Sequence, residues 1–281
     1  MKYIWITAII ITVAFSSCTE KIDIELDESY DRLVVEGIIT NEKKAHEVYL
    51  STSTDFFNPE PADRVSNATV IVSDGVQTDT LTESSTAGRY LTHPDFEGVP
   101  GRTYNLSIEL QQPVSGETVF TSSCKMPPYR AFDSINVVYK NRWEAWQVNA
   151  YTLEPPTVDF YRFDIYKNGV HITDTINEPF VTDDVLFNGQ YSYGVTVGFL
   201  QIEKPDEIVE VGDTITARVA SITEEYFTFM FDVIDESGFN SPLFEGPPAN
   251  IRGNISNNGI GFFAAMAVDY ESTIYEGERT N

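Results

Sequence analysis

The sequence predicts a mainly β protein, with an N-terminal immunoglobulin-like or transthyretin-like β-sandwich over residues 31–126 followed by a second β-rich domain with one helix over residues 133–276. Three observations carry that expectation. Short β-branched runs recur along the chain and are broken by turn dipeptides such as Asp74-Gly75 and Asn168-Gly169. The pair Pro127-Pro128 marks a boundary, because proline cannot continue a strand ladder and stiffens a linker. Apolar residues fall at helical spacing in one segment, Thr223 to Asp235, through Phe227, Met230, Phe231 and Ile234.

Residues 1–17 read as a signal peptide: Lys2 precedes an apolar run from Tyr3 to Phe15, and Ser16-Ser17 lead into Cys18. The run is shorter than the roughly 20 residues that a membrane-spanning helix needs. A cysteine at the first mature position resembles the signal of bacterial lipoproteins. Cys18 is therefore the expected lipidation site and residues 18–30 the lipidated tether. An ordinary secretory signal with a chance cysteine is the alternative.

In the first domain the expected strands are 33–39, 47–51, 68–72, 78–81, 88–91, 104–108 and 119–122. Tyr104, Leu106 and Ile108 alternate, so they share one strand face and belong to the core. In the second domain, strands are expected at 134–138, 146–150, 161–165, 190–199, 213–220, 250–256 and 260–270. Asn168-Gly169 supplies the positive φ angles of a type I′ hairpin turn. Thr223 is the expected N-cap of the helix, and Glu224-Glu225 favour its first turn through the macrodipole.

Composition narrows the function classes. A formal net charge of −25 repels phosphate backbones, so no nucleic-acid partner is expected. With Cys18 lipidated, Cys124 has no partner for an internal disulfide and reads as a buried, inert thiol in a strand. The histidines His46, His93 and His171 are too far apart in sequence for zinc-ligand spacing, and no Gly-x-Ser-x-Gly elbow occurs. Asp183-Asp184 could join a calcium site of loop oxygens, but without a regular Asp-x-Asp-x-Asp spacing it reads as a solvated turn. No catalytic residue, metal ligand or cofactor is assigned.

The candidate ligand or partner contacts are aromatic. Trp143 and Trp146 flank Glu144-Ala145, with one ring expected to face the core and the other outward. Phe56 and Phe57 lie in the irregular stretch 55–65, either as a plug over the sandwich end or as an exposed contact surface.

The chain is similar to the Bacteroidetes lipoprotein family catalogued as domain of unknown function 4249. The resemblance rests on Leu33-Val-Val-Glu-Gly-Ile-Ile-Thr-Asn41, Val48-Tyr-Leu-Ser51, Gly88-Arg-Tyr90 and Gly101-Arg-Thr-Tyr104. It continues through Lys125-Met-Pro-Pro128, Asp133-Ser-Ile135, Pro247-Pro-Ala-Asn250, Gly253-Asn-Ile255 and Gly261-Phe-Phe263, in family order. The resemblance implies an accessory lipoprotein of the outer membrane, at the cell surface or on the periplasmic face, working beside a TonB-dependent transporter. It supplies no catalytic or binding residues. The expected function is thus non-catalytic binding. The alternatives are a structural or adhesive surface protein and a hydrolase with carboxylates brought together from distant strands.

Overall fold

The computed structural model describes residues 31–54, 61–237 and 251–280, and Asp31–Asn281 forms one compact unit. Cys18, Phe56 and Phe57 lie outside the described residues. The fold is mainly β with a single helix among the described residues, as the alternating patterns predict. No helix among those residues is long and apolar enough to cross a membrane.

The first half comprises β1 (Leu33–Thr40), β2 (Glu47–Thr52), β3 (Thr69–Ser73), β4 (Thr78–Thr80), β5 (Thr82–Glu83), β6 (Arg89–Leu91), β7 (Thr103–Val114) and β8 (Glu117–Lys125). The second half opens with β9 (Ser134–Lys140), β10 (Ala145–Tyr151), β11 (Phe160–Lys167), β12 (Val170–His171), β13 (Phe180–Asp183), β14 (Val195–Gln201) and β15 (Thr214–Ile222). The helix α1 (Glu224–Ser237) follows, and β16 (Ile260–Ile274) and β17 (Arg279–Thr280) close the chain.

One large sheet organises everything else. Its order is β12-β11-β15-β16-β1-β2-β6-β5, with β13 also pairing β11. Most neighbours are antiparallel, but β1 and β16 run parallel in the register Val35 to Gly261 through Thr40 to Met266. Two smaller sheets, β4-β3-β7-β8 and β14-β10-β9-β17, complete the β structure.

Strand periodicity fixes which face is buried. Leu33, Val35 and Ile39 of β1, with Phe263, Ala265 and Ala267 of β16, pack on Val70, Leu106 and Phe120 of the first small sheet. Phe163 and Ile165 of β11, with Ala217 and Val219 of β15, pack on Val137, Val148 and Val197 of the second. Cross-strand partners such as Val219 and Asp269 share a face, so both small sheets cover the same side of the large one. The result is two sandwiches side by side, with β16 running from one core into the strand pairing of the other. The opposite side carries a third apolar cluster, in which Tyr226 and Met230 of α1 meet Phe262, Ala264 and Met266 of β16.

Local chemistry explains the element ends. Thr223 Oγ1 accepts the Tyr226 amide at 3.2 Å, satisfying one of the helix's free N–H groups as a cap. Asn168 (φ 52°) and Gly169 (φ 81°) join β11 to β12 in the left-handed geometry of a type I′ turn.

Two expected strands differ from the structure. The strand expected from 190 begins only at Val195, because Tyr193 (φ 46°) and Gly194 (φ 91°) break the extended backbone. Residues 251–256 form no strand. There, Asn254 acts in place of a strand partner: its Oδ1 accepts the Phe263 amide at 2.9 Å and its Nδ2 donates to the Phe263 carbonyl at 2.8 Å. Cys124 is buried as expected, its Sγ accepting the Ala265 amide at 3.3 Å, and burial pushes the thiol pKa up.

Candidate functional site

The open side of the large sheet, beside α1, holds the most elaborate polar arrangement of the fold. The same alternation that buries Phe163 and Ile165 turns Arg162, Asp164 and Tyr166 to this side. On β15, Arg218 stands directly opposite Asp164, and on β16, Tyr270 stands opposite Arg218. These positions bring the side chains together without any loop.

Asp164 is the hub and is fully buried. Arg162 donates to Oδ1 through Nη2 at 2.7 Å and Nε at 3.1 Å, while Arg218 donates to Oδ2 through Nη1 at 2.9 Å. His171 Nε2 lies 3.7 Å from Oδ1. Arg162 also donates to the hydroxyl of Tyr226 at 2.8 Å, tying the network to the helix. Burial alone would raise the Asp164 carboxyl. The His171 contact and the two guanidinium charges override it and hold the group well below the usual carboxylate range.

Two adjoining hollows flank this network. One, of about 460 Å³, is walled by Tyr226, Phe229 and Met230 of α1 against Val34, Ile38 and Phe262, with Arg162 at its floor. The other, of about 600 Å³, is lined by Tyr49, Tyr166 and Tyr270 with Arg218 and His171. Glu36, Gly37 and Ile38 of β1 border both, so the hollows form one groove across the sheet. Tyr166 stacks on His171 with ring centres 4.7 Å apart, and Tyr270 Oη donates to Glu42 Oε1 at 2.9 Å. Burial raises the hydroxyl pKa of Tyr166 and Tyr270 against the lowering charge of Arg218, so both are neutral hydroxyls at physiological pH.

His46 borders the second hollow but is committed elsewhere. Its Nδ1 accepts the Thr40 amide at 3.3 Å and its Nε2 faces the Glu42 carbonyl at 3.2 Å, a pattern that suits the neutral ring. Burial, aided by the charge of Lys44, lowers its pKa to about 4. The groove thus offers aromatic faces and an apolar helix wall, with the hydroxyls of Tyr49, Tyr270 and Tyr226 bonded to Glu47, Glu42 and Arg162. Asp164 beneath it and His46 at its edge are engaged, and Glu36, Glu47 and His171 stand among the lining side chains.

The residues singled out from sequence lie elsewhere. Trp146 is buried and meets Tyr139 edge-on at 4.9 Å, whereas Trp143 is 55% exposed in the β9–β10 turn and packs edge-on against Phe199 at 5.5 Å. One ring faces in and the other out, as expected, but neither lines the groove. Tyr49, Tyr166, Tyr270 and Arg218 went unread. The available signal was Arg162 and Asp164 two residues apart among aromatic and aliphatic neighbours from Phe160 to Tyr166, which places opposite charges on one face.

Comparison with known proteins gives one family. The family described as Domain of unknown function (DUF4249) matches residues 19–272. No curated protein matches the chain.

Proposed function

We propose, from the premise that this chain belongs to the family of Domain of unknown function (DUF4249), that it is a non-catalytic lipoprotein of the outer membrane. In this reading Cys18 carries the lipid, and the folded body binds a ligand or partner as an accessory subunit of a TonB-dependent transporter. The observation that carries the binding role is the groove over β1, β11, β15 and β16. Its tyrosines and the apolar wall of α1 present ring and aliphatic faces to an occupant, over a floor where Asp164 is held by Arg162 and Arg218. The charged start, short apolar run and Ser16-Ser17-Cys18 ending support the anchor. Several acyl chains on one cysteine hold a protein stably at a membrane, as a single chain does not.

The test is copurification from gently solubilised native envelopes. A stoichiometric outer-membrane transporter is expected with the intact chain, and its loss with Tyr166→Ala or Tyr270→Ala at unchanged melting temperature would place the contact in the groove. Absence of any transporter, or intact mass equal to the unlipidated chain, would overturn the reading. The exposed Trp143–Phe199 pair favours a second one, an adhesive surface protein. Loss of cell or matrix binding in Trp143→Ala, with the groove variants unaffected, would select it.

A further inference from the structure

On the far side of β11 from the groove's tyrosines, three carboxylates from two loops converge. Glu154 and Asp159 belong to the connection between β10 and β11, and Asp184 follows β13. One oxygen from each lies within 4.8 Å of the others. Oxygens this close are near the spacing of neighbouring ligands on one calcium ion, whose oxygens sit roughly 2.3–2.6 Å from the metal, and small side-chain rotations close the remainder. The expectation of a solvated turn at Asp184 is corrected here: the residue is only 3% exposed, because the 184–188 turn folds back over it.

The decisive atom is Asp184 Oδ2. Its companion Oδ1 accepts the Asp159 amide at 3.0 Å, whereas Oδ2 is buried with no hydrogen-bond partner. A buried carboxylate oxygen with no donor is costly unless something positive faces it. The neighbouring cation does not reach it. Arg130 donates to Asp159 Oδ2 through Nη2 at 3.2 Å and Nε at 3.3 Å, and the Thr157 hydroxyl donates to the same oxygen at 2.8 Å. Glu154 Oε2 accepts the Tyr161 hydroxyl at 2.8 Å. Three carboxylates therefore share one guanidinium, and a divalent ion closes the balance.

We infer that Glu154, Asp159 and Asp184 form a calcium-binding site that pins the turn after β13 to the loop before β11. Oxygen-only donors select a hard cation over zinc or copper. Magnesium demands near-ideal octahedral geometry and keeps most of its water, whereas calcium accepts an irregular set of loop carboxylates. Burial, with repulsion from Asp184 and Asp159, raises the Glu154 carboxyl against the Tyr161 hydrogen bond. Burial, with repulsion from Asp159, likewise raises Asp184.

The test uses calcium itself on the folded chain stripped with a chelator. Calorimetric titration is expected to give one equivalent of Ca²⁺ bound, and saturating calcium should raise the melting temperature by about 5 °C. Terbium should give luminescence excited through Tyr161 and be displaced by calcium. Asp184→Asn keeps the acceptor for the Asp159 amide and removes the charge, so it should lose the calcium-dependent shift and be no less stable without calcium. Glu154→Gln, a second variant, should lose it too. Absence of heat and shift in the folded wild type would overturn the site, as would an equal response to Mg²⁺ or a shift undiminished in Asp184→Asn.

Discussion

Arg218 and Asp164 face each other across β15 and β11 as direct register partners, joined by an Nη1–Oδ2 contact of 2.9 Å with the carboxylate fully buried. Removing the carboxylate strands two guanidiniums in a desolvated place. Asp164→Ala is expected to cost about 3–5 kcal/mol in denaturant unfolding. Replacing all three groups together, as Arg162→Met, Asp164→Leu and Arg218→Met, should recover most of that loss, since no uncompensated charge remains. A triple variant no more stable than Asp164→Ala would show that the network does more than balance charge.

His46 sets a pH window. Its ring is held neutral with a pKa near 4, below the ordinary value of 6.5, so the unfolded chain takes up a proton that the folded one refuses. The contribution is complete above about pH 6.5, falls as pH drops toward 4, and levels below that, amounting to roughly 3 kcal/mol. Urea unfolding of the wild type and His46→Gln at pH 7.5 and 4.5 measures it. The variant should lose less over that interval.

Gly261 and Gly169 both have positive φ, 91° and 81°, yet they should respond differently to alanine. At Gly169 an added Cβ meets nothing within 4 Å, so only the left-handed backbone penalty of about 1 kcal/mol applies. At Gly261 the Cβ would overlap the Val35 carbonyl oxygen, which accepts in the parallel β1–β16 pairing. Gly261→Ala should lose at least about 3 kcal/mol or fail to fold, and equal losses at the two sites would refute this account.

Trp146→Ala should cost about 3–5 kcal/mol, because the ring fills the second core beside Tyr139. Trp143→Ala loses only an exposed edge contact with Phe199 and should stay within about 1 kcal/mol of the wild type. Thermal unfolding of both variants separates the two roles that the sequence placed three residues apart.

Local grammar was legible and long-range pairing was not. Alternation in Leu33–Thr40, Thr103–Val114 and Phe160–Lys167 marks strands and their buried faces, because period two is written residue by residue. Asn168-Gly169 and Thr223 announced a turn and a cap for the same reason. Nothing local says that Ile260–Ile274 lies between β1 and β15, since strand partners more than 200 residues apart are chosen by fit among faces. The groove was hidden likewise, as a tyrosine in a strand looks the same whether it packs or binds. Asp184 misled because its spacing suggests exposure, and only the fold-back at Phe187 and Asn188 buries it.

The segment 31–126 carries most of the first core but lacks Phe263, Ala265 and Ala267. Expressed alone, it is expected to show no cooperative thermal transition. Adding a peptide covering Gly259–Asp269 in trans should restore one, and a cooperative melt of the bare segment would contradict this.

The central position of β16 also dictates an order of events. The opening half of the polypeptide waits, with the flank of β1 bare, until residues beyond 260 emerge and slot in beside it. Synthesis and maturation are thereby uncoupled: a nascent chain passes through most of its length before either half can seal. Holding that unsealed flank away from its neighbours is a task for whatever escorts the chain while it is being made.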